Sequence, residues 1–349
     1  MRARAVIGAS FGDEGKGLVT DFLCSQGAGV VVRFNGGAQA GHTVVSPAGD
    51  RHVFSHFGSG TMLGVPTFLS QFFVCNPILF FHELGRLYAL GLEPKIFAHP
   101  QCLVTTFADM IINQRIEDKR GTGRHGSCGV GFRETIQRST LPHLKITMAD
   151  LWNKANRLPS IIEEICGKYA AFRTGSKIDE PAMCEAFLKG CDAFAQRVHP
   201  AGIGQCKDPV FEGAQGLLLD QDNKEFFPHV TSSSTGMKNV RALCDQGGFD
   251  VEPYYVSRTY LTRHGAGKLP GEDAGMRYAD DTNIPHAYQG EIRFAPLDDV
   301  RTRCAKDAGG DYKLVLTHCD QLAPSIDADF YSYGACRNAI FDKKLSDAA

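Results

Sequence analysis

A short run rich in glycine carries the clearest chemical signal in the sequence. Residues 12–17 read Gly-Asp-Glu-Gly-Lys-Gly and follow a short apolar segment that is typical of a β-strand. Glycines let the backbone turn its N–H groups toward a phosphate, and the helix after such a turn adds a positive N-terminal dipole. Lys16 supplies a point charge for the outer phosphates, but Gly17 stands where a standard phosphate loop has Ser or Thr. Asp13 is therefore the nearest candidate for an oxygen ligand of Mg²⁺. A plain strand–helix turn with a surface lysine is the alternative interpretation.

A second loop of glycine and polar residues, at positions 35–43, follows the second predicted strand, Val30–Phe34. In open α/β sheets, ligands bind beyond the carboxyl ends of the strands, which is where this loop is expected. His42 near its end could donate a hydrogen bond or a proton to a carbonyl or phosphate oxygen. An isolated histidine is more often structural, so the assignment depends on the position of the loop.

These loops must be positioned by a strand–loop–helix–strand unit, whose helix is predicted at residues 15–24. Such units predict a parallel sheet with helices packed on its faces. The expected fold class is α/β and P-loop-like, a mostly parallel central sheet flanked by helices, with loop and helical excursions. In the largest excursion, near residues 148–200, apolar residues are spaced by three and four, which predicts helices. Later strands are predicted at Lys95–His99, Val210–Glu212, Tyr254–Tyr260 and Lys313–Leu316, and loops at residues 121–131 and 265–293.

Composition narrows the class of protein. The 349 residues include 37 Lys plus Arg against 39 Asp plus Glu, and this net charge of −2 argues against a non-specific nucleic-acid binder. No apolar run approaches the ~20 residues that a membrane-spanning helix needs, so no membrane partner is expected. The 12 cysteines form neither a Cys-x-x-Cys pair nor a zinc-ligand spacing. A cytoplasmic protein with reduced thiols is therefore expected.

Taken together, six blocks of sequence resemble the adenylosuccinate synthetase family. Two are the loops described above, and the other four lie further along the chain. All six keep the family's order between residue 5 and about residue 340. The resemblance implies one large α/β domain over residues 1–349. The later blocks are Phe211–Asp220, Pro228–Ser234, Thr262–Gly267 and Leu316–Asp320.

The resemblance implies that the chain ligates L-aspartate to C6 of a 6-oxopurine nucleoside monophosphate, with GTP and Mg²⁺ and through a 6-phosphoryl intermediate. Asp13 would remove the N1 proton and would bind Mg²⁺ together with the Gly41 carbonyl. His42 would stabilise the transferring phosphoryl group. Asp320 would accept hydrogen bonds from guanine, which favours GTP over ATP, although His318 replaces the family's lysine nearby. The residues assigned to the nucleotide are Gly12, Glu14, Gly15, Lys16, Gly17, Gly41, Thr43 and Asp320.

A second set of residues would hold the monophosphate and the aspartate. Gln215 and Thr231, or Thr235 in its place, match contacts to the monophosphate. Arg138 stands where the family places an arginine that reaches the substrate phosphate of the neighbouring subunit, which implies a homodimer with shared sites. A solvated helix arginine is the alternative for that residue. The full set is Gln39, Ser127, Cys128, Arg138, Gln215, Thr231, Arg263 and Arg293.

Departures from the family's pattern leave it open which nucleotide accepts the aspartate. Gln39 replaces an Asn that touches the substrate nucleotide, and the middle loop differs from the family's Thr-Thr-Gly. Arg293 is the one arginine left in the aspartate-binding loop, with Arg263 or Arg258 as candidate helpers. Phage relatives that act on dGMP have Ser at the place of Asp13, so the retained Asp favours IMP, while the other changes keep dGMP as an alternative. A catalytically silent GTP-binding regulator and a nucleotide kinase are alternatives from other classes.

Overall fold

The computed structural model describes residues 1–121, 127–153, 157–168, 180–280, 282–283 and 290–346. Parts of the loops predicted at residues 121–131 and 265–293, and parts of the helical excursion, therefore lie outside the described residues. Within these ranges the chain forms sixteen strands and ten α-helices. None of the helices in these ranges is long and apolar enough to cross a membrane.

The strands and helices alternate along most of the chain. The strands are β1 Arg2–Gly8, β2 Val30–Arg33, β3 His42–Val45, β4 Arg51–Phe54, β5 Thr67–Leu69, β6 Val74–Cys75, β7 Ile96–Ala98, β8 Leu103–Val104, β9 Val198–Pro200, β10 Pro209–Gly216, β11 Asp250–Arg258, β12 Tyr260–His264, β13 Ile292–Pro296, β14 Lys313–Thr317, β15 Phe330–Ser332 and β16 Ile340–Asp342. The helices are α1 Lys16–Ser25, α2 Pro77–Ala89, α3 Phe107–Arg120, α4 Phe132–Arg138, α5 Met148–Trp152, α6 Leu158–Lys168, α7 Glu180–Arg197, α8 Met237–Gly247, α9 Val300–Ala308 and α10 Lys343–Ser346.

Ten of the described strands form one sheet, in the order β16-β15-β14-β11-β1-β10-β2-β5-β7-β9. Neighbours in this sheet run parallel, except β15 with β16. Strand β1 lies in the middle, with Ala5 opposite both Phe211 and Pro253. Because side chains alternate along a strand, Val6 packs among the residues of α1, whereas Ala5 and Ile7 face α8 and α9. Both faces of the sheet are thus covered, as parallel sheets require.

The predicted fold class is confirmed, and the structure shows where the strand predictions need correction. The predicted strand at residues 254–260 is two strands, because β11 ends at Arg258 and the chain then enters the antiparallel hairpin β12–β13. That hairpin and the hairpin β3–β4 were not predicted, since their strands are short and partly polar. The described part of the excursion is helical, as predicted, and its helices α5, α6 and α7 contribute to one apolar cluster before β9 joins the sheet.

Parallel pairing determines where the functional loops meet. The carboxyl ends of β2, β10, β1, β11 and β14 lie at the same edge of the sheet. The glycine loop follows β1 there, the second loop follows β2, and Gln215 lies near the end of β10. Arg258 ends β11, and the segment 318–320 follows β14. Residues that are hundreds of positions apart in the chain therefore converge at this edge.

Candidate active site

The glycine loop has an unusual backbone between β1 and α1. Gly12, Asp13 and Gly15 all have positive φ angles, of 92°, 59° and 91°. Glycine adopts such angles freely, but a residue with a side chain does so with some strain, as is common at functional sites. Gly8, just before the loop, has no space for a side chain, since a Cβ there would lie 2.3 Å from Glu14 Oε2 and 2.4 Å from the Gln215 carbonyl oxygen. The loop is therefore pressed against the end of β10.

Glu14 lies inside the loop rather than at a cavity wall. Its Oε1 accepts hydrogen bonds from the backbone N–H groups of Ser10 (2.6 Å) and Gly12 (3.2 Å). Its Oε2 lies 3.1 Å from Lys16 Nζ, and both side chains are buried. The prediction that Glu14 contacts the nucleotide is therefore corrected to a structural role, because its carboxylate satisfies the loop's own amides. Arg303 supports the same loop, donating from Nη2 to Ser10 Oγ (2.9 Å) and from Nε to the Ala9 carbonyl.

His42 is held by a carboxylate that the sequence analysis did not single out. Its Nδ1 lies 2.7 Å from Glu212 Oε1, and the Ser59 amide donates to Glu212 Oε2 (3.1 Å). Although burial works against ionisation, His42, the nearby Arg33 and Ser59 together hold the pKa of Glu212 at about 2. Burial lowers the pKa of His42, and the Arg33 and Lys16 charges lower it further, against the opposing effect of Glu212. The pair fixes the ring with Nδ1–H on the carboxylate, which leaves Nε2 for a ligand.

Glu212 could have been found from the sequence. An acidic residue directly after Val210 and Phe211 interrupts an apolar strand of a parallel sheet. A buried charge in such a place requires a partner, and functional sites are where such partners occur.

Arg258 fixes the other side of the glycine loop. Its Nε donates to the Asp13 carbonyl oxygen (2.6 Å), and its Nη2 donates to Asp280 Oδ2 (2.7 Å). Burial favours the neutral form of Asp280, but the Arg258 charge and Asn283 outweigh it and lower its pKa to about 2. Burial and the Arg258 charge lower the pKa of His318, beside the same arginine, to about 3, so that its ring is neutral near pH 7.

Two cavities of about 470 and 410 Å³ open at the carboxyl edge of the sheet. Asp13, Gly41 and Gln215 lie in the walls of both cavities, together with Thr282 and Asn283. Asp13 is thus where the two spaces meet. Gln215, in the walls of both cavities, also has a positive φ, of 63°.

Most of the predicted site residues line one of these cavities. The residues assigned to the nucleotide and to phosphoryl transfer line the first cavity, with the exception of Glu14. They are Gly12, Asp13, Gly15, Lys16, Gly17, Gly41, His42, Thr43 and Asp320. Six of the residues assigned to the monophosphate and the aspartate line the second cavity. They are Gln39, Ser127, Cys128, Gln215, Thr231 and Arg263. Glu14, Arg138 and Arg293 line neither cavity.

Three of the residues in the second cavity have informative surroundings. Both amide atoms of Gln39 are buried and have no hydrogen-bond partner among the described residues. Burial and the Asp13 charge raise the pKa of the Cys128 thiol to about 11, so that it stays protonated and is a poor nucleophile. Ser127 donates from Oγ to Asn113 Oδ1 (2.6 Å), which ties this loop to α3.

The surroundings of Arg138 contradict both interpretations given from the sequence, a contact to a neighbouring subunit and a solvated helix arginine. Its side chain is buried, and Nε and Nη2 donate to the carboxylate of Asp109 at 2.9–3.2 Å. The Val104 and Leu144 carbonyl oxygens accept its remaining hydrogen bonds. Four of the five N–H donors of this buried guanidinium are thus occupied inside its own chain, which is neither the environment of a solvated arginine nor one that directs it to a neighbouring subunit's phosphate. Arg138 instead fastens α4 to α3.

The predicted aspartate-binding arginines are also engaged within the chain. Arg293 bonds Glu272 Oε2 from Nη1 (2.6 Å) and the Gly265 carbonyl oxygen from Nη2 (2.7 Å), so its guanidinium points at the 265–272 loop rather than at a cavity. Arg263 donates to the His229 carbonyl oxygen (2.8 Å), and its guanidinium lies 4.5 Å above the Phe11 ring. Of the two, Arg263 is the one in a cavity wall.

The described residues contain no group of three or more His, Cys, Asp or Glu side chains that could hold a metal ion. Mg²⁺ is commonly held by one or two protein oxygens together with substrate phosphates and water. Asp13 and the Gly41 backbone, which share both cavity walls, fit that kind of site.

Comparison with known proteins shows the family. The family model described as adenylosuccinate synthetase matches residues 5–327. The chain belongs to this family of ligases. It is 33% identical over 345 residues to the adenylosuccinate synthetase of Anaeromyxobacter sp. strain K, covering 91% of this chain and 77% of that protein. It is 29% identical over 373 residues to the Clostridium novyi strain NT enzyme, covering 99% and 83%.

Two solved structures share the fold. Fully ligated adenylosuccinate synthetase from Plasmodium falciparum matches with a TM-score of 0.74 at 20% identity, over 92% of this chain and 77% of that one. The succinoaminodeoxyadenylate synthetase of cyanophage S-2L, bound to dGMP and to dATP as an energy donor, matches with a TM-score of 0.65 at 15% identity, over 98% and 95%. Both matches extend over more than nine tenths of the chain, so the overall fold is that of these two synthetases.

Proposed function

We propose that this chain ligates L-aspartate to C6 of IMP, using GTP and Mg²⁺, and forms adenylosuccinate through a 6-phosphoryl intermediate. One observation carries the proposal, namely that Asp13 lies in the walls of both cavities. A base placed there contacts the acceptor's N1–H from one cavity while the phosphoryl donor occupies the other. Removal of that proton makes O6 a nucleophile toward the γ-phosphate, and the phosphorylated oxygen then leaves more readily when the aspartate amine attacks C6.

The first cavity supplies the groups that phosphoryl transfer needs. Lys16, whose ion pair with Glu14 uses one of its three N–H donors, and the loop amides other than those of Ser10 and Gly12 would bind the donor's phosphates. His42 would direct Nε2 toward the transferring group while Glu212 holds its Nδ1–H. Asp13 and the Gly41 carbonyl would hold Mg²⁺, which when bound neutralises charge on the phosphates. Asp320, exposed at the rim of the first cavity, would accept hydrogen bonds from N1–H and the 2-amino group of guanine, which favours GTP as donor.

The second cavity supplies the groups for the acceptor. The unpartnered amide of Gln39, together with Gln215, Thr231 and the Ser127 loop, would bind the nucleoside monophosphate. Of the arginines assigned to aspartate, Arg263 is the one in the wall of the second cavity, and it would have to exchange its bond to the His229 carbonyl for a carboxylate of aspartate. We also propose a cytoplasmic homodimer, although Arg138 no longer supports shared sites.

A second candidate acceptor is dGMP. The unpartnered Gln39 amide gives the second cavity polar groups that could pair with a base edge different from that of IMP. The chain also spans 95% of the cyanophage protein that was solved with dGMP. Retention of Asp13 at the junction of the cavities is the feature that favours IMP.

The test mixes purified protein with GTP, Mg²⁺, aspartate and either IMP or dGMP, and measures the release of phosphate and the mass of the product. An aspartate adduct of IMP, formed with the higher kcat/KM, is the expected result. Phosphate release or a phosphorylated nucleotide without an aspartate adduct would instead identify a kinase. GTP binding with no turnover for either acceptor would identify a silent regulator. Replacing GTP with ATP or dATP in the same assay tests the donor.

A further inference from the structure

The carboxylate of Asp13 has one polar neighbour that the proposed chemistry does not use. His264 Nε2 lies 3.4 Å from Asp13 Oδ2. Within the described part of the chain, neither ring nitrogen of His264 has a hydrogen-bond partner, although both are buried. The His264 side chain is 9% exposed, whereas that of Asp13 is 33% exposed. A buried polar ring without a partner is unfavourable, so a function for this one is worth seeking.

The backbone of His264 is held in a hairpin, whereas the carboxylate of Asp13 receives no hydrogen bond from the described side chains. His264 ends β12 and is paired with Ile292 of β13, which anchors its backbone in a hairpin. The Arg258 guanidinium bonds the backbone carbonyl of Asp13, but no described donor bonds its carboxylate. Arg263, the neighbouring cation, is turned away toward the His229 carbonyl and the Phe11 ring. Within the described structure, His264 Nε2 is therefore the one basic side-chain nitrogen within 4 Å of the Asp13 carboxylate that could direct its rotation.

We propose that His264 is a positioning residue for Asp13, donating from Nε2–H to Oδ2 so that Oδ1 faces the acceptor's N1–H. This inference rests on the proposed role of Asp13 as the base. The distance of 3.4 Å is slightly longer than an N–H···O hydrogen bond, and such contacts shorten when substrate closes a site. His264 lies in the wall of the second cavity and not of the first, so it meets Asp13 from the acceptor's side. A base that is misplaced by about 1 Å loses roughly 100-fold in rate.

The experiment compares two variants of nearly equal length and volume. His264→Gln keeps an N–H donor close to the place of Nε2, and His264→Met removes it. For His264→Met we expect kcat to fall about 10- to 100-fold, with KM for the acceptor changed less than about threefold, because partners that orient a reacting group act on this scale. We expect His264→Gln to restore kcat to within about threefold of the wild type. A merely structural histidine would not separate these two variants.

Several outcomes would overturn the inference. It fails if both variants keep the wild-type kcat, if both lose it equally, or if KM rises while kcat stays unchanged. Should His264→Met melt far below the wild type, His264→Asn replaces it, since its shorter amide cannot reach Oδ2, and its kcat is compared with that of His264→Gln.

A measurement that needs no turnover separates this inference from the proposed function. In a crystal structure of the wild type with IMP, we expect Nε2 of His264 within about 3.2 Å of Asp13 Oδ2. A separation that places another group between the two atoms would overturn the inference even in an active enzyme. A wild type that forms no adduct with either acceptor would overturn the proposed function, while the bound geometry would still decide the role of His264.

Discussion

At the scale of the residue, the site is determined by how carboxylates are paired. The carboxylate of Glu14 is hydrogen-bonded to loop amides and to Lys16, and the carboxylate of Glu212 is hydrogen-bonded to His42 and Ser59. Asp13 is the carboxylate at the junction of the cavities that keeps one third of its side-chain surface exposed. An acidic group that is accessible, and not neutralised by a buried partner, is the one suited to act as a base.

The role of Asp13 leads to a prediction about a nearly isosteric change. Asp13→Asn removes the proposed base but keeps the shape of the loop, so we expect the formation of adenylosuccinate to fall by several powers of ten. We expect GTP still to bind, since Lys16 and Asp320 remain in the cavity wall and the Asn side-chain oxygen can still ligate Mg²⁺. Steady-state kinetics and titration calorimetry measure the two quantities. Glu225→Gln, at an exposed surface position, is the matched control and is expected to leave both unchanged. Full activity of Asp13→Asn would rule out this assignment.

At the scale of the element, close packing at the sheet edge holds the loops in register. Gly17 lets α1 approach β3, since a Cβ there would lie 2.8 Å from the Thr43 carbonyl oxygen. Gly8 lets the glycine loop approach the end of β10 in the same way. Helix α4 is fastened to α3 by the buried pair of Arg138 and Asp109. These contacts join elements that are far apart in the chain, and so they position the two cavities relative to each other.

Gly8→Ala tests the close approach of the loop to β10. The new methyl group would meet Glu14 Oε2 and the Gln215 carbonyl oxygen at less than 2.5 Å, so we expect a loss of about 1–3 kcal/mol in the free energy of unfolding and a lower kcat. Gly85→Ala is the control, because this α2 residue has open space around it and alanine favours a helix by about 1 kcal/mol. Urea titrations of both variants make the comparison. Equal stability of the two variants would contradict the packing argument.

Arg138→Met tests whether this arginine is structural. Removing one partner of a buried ion pair leaves Asp109 uncompensated, and we expect a loss of about 3–5 kcal/mol in the free energy of unfolding. Adding Asp109→Asn should recover part of that loss, because the charge that had no partner is then gone. The prediction fails if Arg138→Met is as stable as the wild type and raises KM for the acceptor alone, as expected of a contact to substrate.

At the scale of the whole molecule, charge is balanced locally in the interior. The chain carries 37 basic and 39 acidic residues, yet several carboxylates are deeply buried. Glu83 of α2 accepts from the backbone amides of Ser55 (2.9 Å) and His56 (2.7 Å), just after β4. Burial opposes its ionisation, but the nearby imidazole rings of His52 and His56 and the His56 backbone amide outweigh that effect and lower the pKa of Glu83 to about 2. The hairpin is thus held to the helical layer by one ionised group.

The lowered pKa of Glu83 predicts how stability depends on pH. A carboxylate with a lowered pKa stabilises the fold above its unfolded-state pKa of about 4.3, and that contribution disappears as the pH falls toward 2. A shift of this size corresponds to about 3 kcal/mol. We expect the stability gap between the wild type and Glu83→Gln to be largest near pH 6 and to narrow steadily below pH 4.5. Exposed Glu93 provides the control Glu93→Gln, and a gap that does not change with pH would refute the prediction.

The sequence determined the features that are local in the chain. Glycine spacing marks the loop at residues 12–17, and apolar runs predict β1, β2 and β14 close to their observed bounds. The run at residues 210–212 predicts the existence of β10 but not its full length, since the strand extends over Pro209–Gly216. Both signals arise from neighbouring residues, because backbone conformation and the side chains of one strand are set within a few positions. The family blocks extend this to the residues around Gln215 and Asp320, which do line the cavities.

Only the tertiary structure decided which of these side chains are free to act. Glu14 and Arg138 have residue types suited to binding, yet contacts with Lys16 and Asp109 occupy them. His264 gains its contact with Asp13 from a hairpin about 250 positions further along the chain. Hydrogen-bond partners and burial depend on contacts between elements, and no local pattern encodes those contacts. The sequence therefore identified the chemistry of this protein, and the fold assigned that chemistry to particular atoms.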